Sequence, residues 1–171
     1  EANGISPIPV PGKPGSYIAN GSEHDVFGDT THLGRYHIQM TERRFGKLKL
    51  LEDGTYEAEN TNAKVVLMPW GGSKGSVREA YDQLLTAGVD VGWYYTMFIS
   101  PLPAAMLEEL RSKDLVIVPE LNYQGQMASL LRAQGVKAEA ITQYTGLPFG
   151  PTELAGRINQ LLAEPRGAVT A

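Results

Sequence analysis

The chain has 171 residues, 42% hydrophobic and 20% charged, which is enough for one domain with a real core. Fifteen basic residues against nineteen acidic ones leave a formal charge of −4, which argues against nucleic acid or an anionic membrane as the main partner. No apolar run reaches bilayer length and no signal-peptide pattern opens the chain. The lack of cysteine excludes disulfides, thiol nucleophiles and thiolate ligands for zinc or iron–sulfur clusters, and fits a reducing cytoplasm.

Residues 1–16, "EANGISPIPVPGKPGS", carry Pro7, Pro9, Pro11 and Pro14. Each proline fixes its own φ and pushes its predecessor toward extended geometry, so a stiff linker is expected, not a helix. With no initiator Met at Glu1, the chain reads as a fragment whose linker leads in from an upstream domain. A strand is expected at "YIAN" (17–20), followed by a mostly helical stretch at 31–51. The continuous apolar run "AKVVLMPW" (63–70) suits a strand buried on both faces.

"SVREAYDQLLTAG" (76–88) repeats Val77, Ala80, Tyr81, Leu84 and Leu85 at helical spacing and stops at Gly88. Aromatic and β-branched residues mark 89–100 as a strand. A short helix at 104–112 follows the "PLP" turn. Then come a buried strand at 114–121, a helix at 125–135, a strand at 136–144 and a last helix at 151–164 with its stripe of Leu154, Ile158, Leu161 and Leu162. Such alternation with short loops predicts an α/β fold: an open, mostly parallel sheet with helices on both faces. Ligands or partners then meet the carboxyl ends of the strands, at the loops 71–76, 100–103 and 120–125.

Four places carry polar chemistry. "GSEHD" crowds Glu23 and Asp25 around His24. Three histidines fall in one short region, but no H-E-x-x-H spacing or matched acid–His pair accompanies them, so a polar corner is favoured over a metal site. A general base at His24 or Glu23 stays open. Arg43, Arg44, Lys47 and Lys49 form a basic run that suits either a polyanion or a solvated, subunit-facing helix side. The glycine-rich turn at Gly72, Ser73 and Lys74 follows a strand and opens a helix. It could offer backbone N–H groups to a phosphate such as that of CoA, but lacks Walker spacing; a tight turn with a Ser76–Glu79 capping box is the plainer reading. Glu120, Asn122 and Gln126 stand where a strand passes into a helix, either lining a crevice or capping that helix. No nucleophile with its base and orienter is present, so no catalytic residue is assigned, and no metal ligand set either.

Several segments together resemble one family. "GISPIPVPG", "GSEHDVFGD", "RRFGKLKLL", "WGGSKGSVREA", "SPLP", "ELNYQGQMASLLR" and "TGLPFGPTEL" stand in the order found in the C-terminal part of the alpha subunit of 2-oxoacid:ferredoxin oxidoreductases, the 2-oxoglutarate type above all. Two positions depart from the family pattern: Ile8 stands where an arginine is usual, and Val26 replaces the last acid of an "EHDE" run.

The resemblance implies a three-layer, transketolase C-terminal-like fold, also described as pyruvate:ferredoxin oxidoreductase domain II. Its five-stranded sheet is mostly parallel, with the first strand, taken as "YIAN", antiparallel. It implies a linker at 1–16, one domain at 17–165 and a tail at 166–171. It also implies thiamine-diphosphate-dependent oxidative decarboxylation of a 2-oxoacid to acyl-CoA and CO2. Thiamine diphosphate, Mg2+ and iron–sulfur clusters would sit elsewhere in the enzyme, with a beta subunit, a missing N-terminal domain and ferredoxin as partners. In that frame Glu23, His24, Asp25, Arg43, Asn122 and Gln126 face an interface or the active site, and this part supports assembly. A CoA- or phosphate-binding module and a pure assembly module are the alternatives.

Overall fold

A computed structural model describes residues 7–16, 21–25 and 27–163. The chain forms two compact units, 1–52 and 53–171.

In the first unit, the proline-rich run is followed by turns over 11–15, with Gly12 and Gly15 at φ +78° and +89°. Ser16 Oγ donates to the carbonyls of Val10 and Lys13 at 3.0 and 2.8 Å. Helix α1 spans Gly34–Lys49, inside the stretch expected to be helical, and buries no residue. Ile38, Phe45 and Leu48 remain exposed along it. The strand expected at 17–20 lies outside the described residues, as does Val26.

The second unit carries the sheet. Its strands are β1 (Glu57–Glu59), β2 (Val65–Leu67), β3 (Gly92–Tyr95), β4 (Leu115–Glu120) and β5 (Ala138–Thr142), in the order β1-β3-β2-β4-β5. β1 pairs antiparallel with β3, and the other pairings are parallel. The expected mixed sheet is present, and its antiparallel first strand is Glu57–Glu59. Helices α2 (Lys74–Thr86), α3 (Ala104–Arg111), α4 (Gln126–Ala133) and α5 (Pro151–Ala163) fill the intervals. α2 begins two residues before Ser76, so the expected Ser76–Glu79 cap does not start it; a short 3-10 turn, Gly71–Ser73, leads in instead.

Strand alternation divides the core. Leu67, Trp93 and Ile117 point to one face and pack with Val77, Tyr81 and Leu84 of α2 and Leu154 and Ile158 of α5. Val66, Tyr94, Val116 and Val118 point to the other and meet Met106 and Leu110 of α3 and Met127 and Leu131 of α4. Burying each such side chain contributes roughly 1.5–3 kcal/mol. Leu85, expected on the apolar stripe of α2, is 40% exposed.

A polar cluster joins α3 to the sheet. The hydroxyls of Tyr94 and Tyr56 donate to Glu109 at 2.5 and 2.7 Å, and Lys113 Nζ donates to the Thr61 carbonyl. The Tyr94 and Tyr56 hydrogen bonds, with Lys113 nearby, hold the Glu109 carboxyl below its ordinary range; burial and the same carboxylate push the Tyr94 hydroxyl up. A carboxyl lowered in the folded state adds stability above its unfolded pKa and loses that contribution as pH falls through the folded value. Glu109→Gln is therefore expected to flatten the acid limb of the stability–pH curve, read from urea midpoints between pH 3 and 7. An unchanged acid limb would count against this role.

Candidate functional site

The sheet's topology puts the candidate site at one end. From β2 the chain moves to β3 on one side, then crosses to β4 on the other. The carboxyl ends of β2 and β4 thus flank the switch point, where open α/β sheets leave a crevice. A crevice of ≈ 140 Å³ opens there, lined by Trp70, Gly71, Gly72, Ser73, Leu121 and Asn122.

Glu120 ends β4 with no exposed surface. Its Oε2 accepts from Trp70 Nε1 (3.3 Å), Asn122 Nδ2 (2.7 Å) and Met127 N–H (2.9 Å), and its Oε1 accepts from Ala128 N–H (2.9 Å). This places a carboxylate against the first amides of α4, where its charge suits the helix dipole. It also ties the loop after β2, through Trp70, to the loop after β4, through Asn122. Asn122 Oδ1 accepts from the N–H groups of Gln124, Gly125 and Gln126 at 3.1, 2.8 and 3.3 Å, while the Gln126 residue itself stays exposed. Gly125 at φ +64° makes the turn, and a Cβ there would lie 2.8 Å from that of Ala140.

The glycine-rich turn is bound up in the same way. Ser73 is buried; its Oγ donates to the Trp70 carbonyl (2.9 Å) and accepts from the Trp70 N–H (3.3 Å). Lys74 Nζ pairs with Glu57 of β1 at 2.6 Å and lies 4.0 Å from the centroid of the Tyr95 ring. Arg78 grips both oxygens of Glu59. The positive side chains at this end of α2 thus answer the acids of β1. Gly72 alone of the three proposed phosphate contacts stays exposed.

In the first unit, His24 forms an isolated bridge with Thr30, and its Nδ1 lies 2.8 Å from the Asp25 carbonyl. Asp25 Oδ1 accepts from the N–H groups of Phe27 and Asp29, closing a turn. Arg44 donates to Glu23 at 2.9 Å, and His37 Nδ1 is 3.3 Å from the same oxygen. The Arg44 hydrogen bond holds the Glu23 carboxyl below its usual range against the opposing cost of burial. Arg43, the member of the basic run expected to face an interface or the active site, is exposed and reaches Met40 Sδ at 4.0 Å. The pairings of Glu23 with Arg44 and His37 and of Glu120 with Trp70 were not readable from the sequence, because they join residues up to 50 positions apart with no local motif. Among the described residues, no three His, Cys, Asp or Glu side chains converge as a metal site.

The family profile described as pyruvate:ferredoxin oxidoreductase core domain II matches residues 63–154, from just before β2 into α5. The chain belongs to this core domain II family. Domain II here is 30% identical over 169 residues to the alpha subunit of 2-oxoacid:ferredoxin oxidoreductase 2 of Aeropyrum pernix, covering 94% of this chain and 26% of that protein. It is 30% identical to the 2-oxoglutarate oxidoreductase subunit KorA of Mycobacterium tuberculosis, over 90% of this chain and 24% of that subunit. A solved 2-oxoglutarate:ferredoxin oxidoreductase from Magnetococcus marinus, with 2-oxoglutarate, coenzyme A and succinyl-CoA bound, superposes with TM-score 0.77 at 33% identity. That match covers 94% of this chain and 29% of the solved one. The chain thus spans about a quarter of the length of these relatives.

Proposed function

We propose that the chain is the domain II portion of the alpha subunit of a thiamine-diphosphate-dependent 2-oxoacid:ferredoxin oxidoreductase, and that it supports assembly and the active-site interface instead of carrying the chemistry. The enzyme as a whole would convert a 2-oxoacid to acyl-CoA and CO2 in the cytoplasm, with a beta subunit and an alpha N-terminal domain as partners and ferredoxin as acceptor. The observation that carries the supporting role is the state of the switch-point crevice. Glu120, Asn122 and Ser73 spend their hydrogen-bonding capacity on the loops themselves, which favours a rigid scaffold over a reactive centre. The donor set also does not suit the metal groups of the reaction. The chain offers no thiolate for an iron–sulfur cluster, and the acids of the sites described above, Glu23, Glu109 and Glu120, are engaged by an arginine, by tyrosines and by amides. No step through those groups is assigned to these residues. Glu23, His24, Asp25 and Arg43 are proposed to face the interface.

The test uses the complete enzyme purified with its subunits: CoA-dependent viologen reduction by 2-oxoglutarate and by pyruvate. Reduction is expected with at least one acid. No reduction by a preparation that retains its iron–sulfur subunit would overturn the reading. His24→Ala is expected to weaken assembly or activity while leaving the metal content unchanged; loss of stoichiometric metal would argue for the metal site instead.

The second reading, a CoA or phosphate contact at Gly72, Ser73 and Lys74, rests on the position of the crevice at the switch point. Calorimetric titration of the 171-residue chain with CoA separates the two. No heat up to millimolar CoA is expected under the scaffold reading, and saturable binding abolished by Lys74→Ala would favour the second.

A further inference from the structure

The four loops that cap the parallel strands share an unusual composition. Residues 68–73, 96–103, 121–126 and 143–150 include no Asp, Glu, Lys or Arg, in a chain that is 20% charged. The opposite end of the same strands carries Lys64, Asp90, Lys113, Asp114 and Lys137. The four uncharged loops are also apolar and open to solvent. In strand order they present Met97 and Ile99 beyond β3, Trp70 beyond β2, Leu121 and Tyr123 beyond β4, and Tyr144 and Leu147 beyond β5. Met97, Tyr123, Tyr144 and Leu147 are 76%, 73%, 65% and 68% exposed. The rings of Tyr123 and Tyr144 meet edge to face with centroids 4.9 Å apart, so two aromatic side chains are pre-set in one orientation. Beneath Tyr123, Glu120 and Asn122 lock the loops after β2 and β4, so that part of the surface is preorganised.

Single exposed apolar side chains need no explanation, but four adjacent loops without charge do, and the Lys74–Glu57 pair marks where charge resumes, at the β1 side of this end. Depletion of charge with enrichment of aromatic residues and Met marks the buried centre of a protein–protein interface, and such a face matches a counter-face that is itself uncharged. We propose that this carboxyl-terminal edge is a docking face, covered in the assembled enzyme by the portion of the alpha subunit outside the stretch matched here. The choice of occupant rests on the domain II reading above. The relatives carry this domain as 24–29% of a single longer polypeptide, so the largest surface tethered beside it belongs to that same polypeptide.

These 171 residues hold no cysteine, so a label on their peptides reports an introduced cysteine even in the full-length alpha subunit within its complex. Tyr123→Cys and Leu147→Cys are compared with Asp114→Cys and Lys137→Cys, which sit exposed at the opposite edge, by maleimide labelling and peptide mass spectrometry. Shielding by an interface is expected to slow labelling at Tyr123 and Leu147 by roughly tenfold or more relative to the other two, while in the isolated 171-residue chain all four react alike. Equal labelling in the complex overturns the docking face. For the occupant, the photo-crosslinker benzoylphenylalanine replaces Tyr123. Cross-links to alpha-subunit peptides outside this stretch are expected; cross-links to residues 1–52, to a second copy or to another subunit overturn the assignment. Viologen reduction is assayed on the same preparation. An inactive enzyme with a protected edge would count against the proposed function and leave the docking face standing.

Discussion

Glu120→Ala is expected to cost the 171-residue chain about 3 kcal/mol of unfolding free energy, since a buried charged acceptor with four donors is removed and those donors lose their partner. The effect is larger than that of an ordinary helix cap, about 1 kcal/mol, because Met127 and Ala128 are buried and water reaches their amides poorly. Glu120→Gln is expected to cost about 2 kcal/mol: both oxygens accept from a backbone N–H, so the amide must turn its NH2 group toward one of those donors. Urea denaturation followed by circular dichroism measures both. An alanine variant within about 0.5 kcal/mol of the parent would show that the two loops do not depend on this carboxylate.

Gly92→Ala is expected to be nearly as damaging, about 2–3 kcal/mol, by overpacking. A Cβ on Gly92 would lie 2.7 Å from the Asn60 carbonyl oxygen and 2.9 Å from Val66 Cγ1. Neither neighbour yields easily. Val66 is in the core, and Asn60 sits at φ +47° with its side chain bonded to Asp90 and to the Val91 carbonyl at 2.9 Å each. The added methyl must therefore lever the end of β1 away from β3. Hydrogen exchange should show the loss concentrated in the amides of β1, beside a lowered denaturation midpoint. Gly72→Ala is the control: a Cβ there meets nothing within 4 Å, so a change of less than about 0.5 kcal/mol is expected. Comparable losses in both variants would mean that the close approach at Gly92 does not set the effect.

The contrast between β4 and β1 shows which parts of the fold were legible in the sequence. Leu115–Glu120 is buried at every position, so its apolar run announces a central strand. Glu57–Glu59, "EAE", is exposed at every position and three residues long; it has neither alternation nor β-propensity, and exists because β3 offers it a free edge and α2 offers Lys74 and Arg78. The site divides along the same line. Strand–helix alternation alone brought the loops 71–76, 100–103 and 120–125 together at one end of the sheet. What those loops do with their polar atoms was not readable, because the partner of Glu120 that matters most for linking the loops, Trp70, is fifty positions away. The apolar loop at 143–150 escaped notice for a different reason. Tyr144 reads as the end of the last strand, and nothing in the sequence brings Tyr123 beside it.

The two outermost strands have a consequence for how this domain can be built into anything larger. β1 carries Glu57 and Glu59, paired with Lys74 and Arg78, and β5 carries the exposed Glu139, so among the described residues both flanks of the sheet hold charged side chains where another chain would have to lay down a strand. Charges in such positions oppose lateral growth of a sheet. Polymerising side by side is thereby disfavoured at both flanks, and the domain is left to join its neighbours end-on.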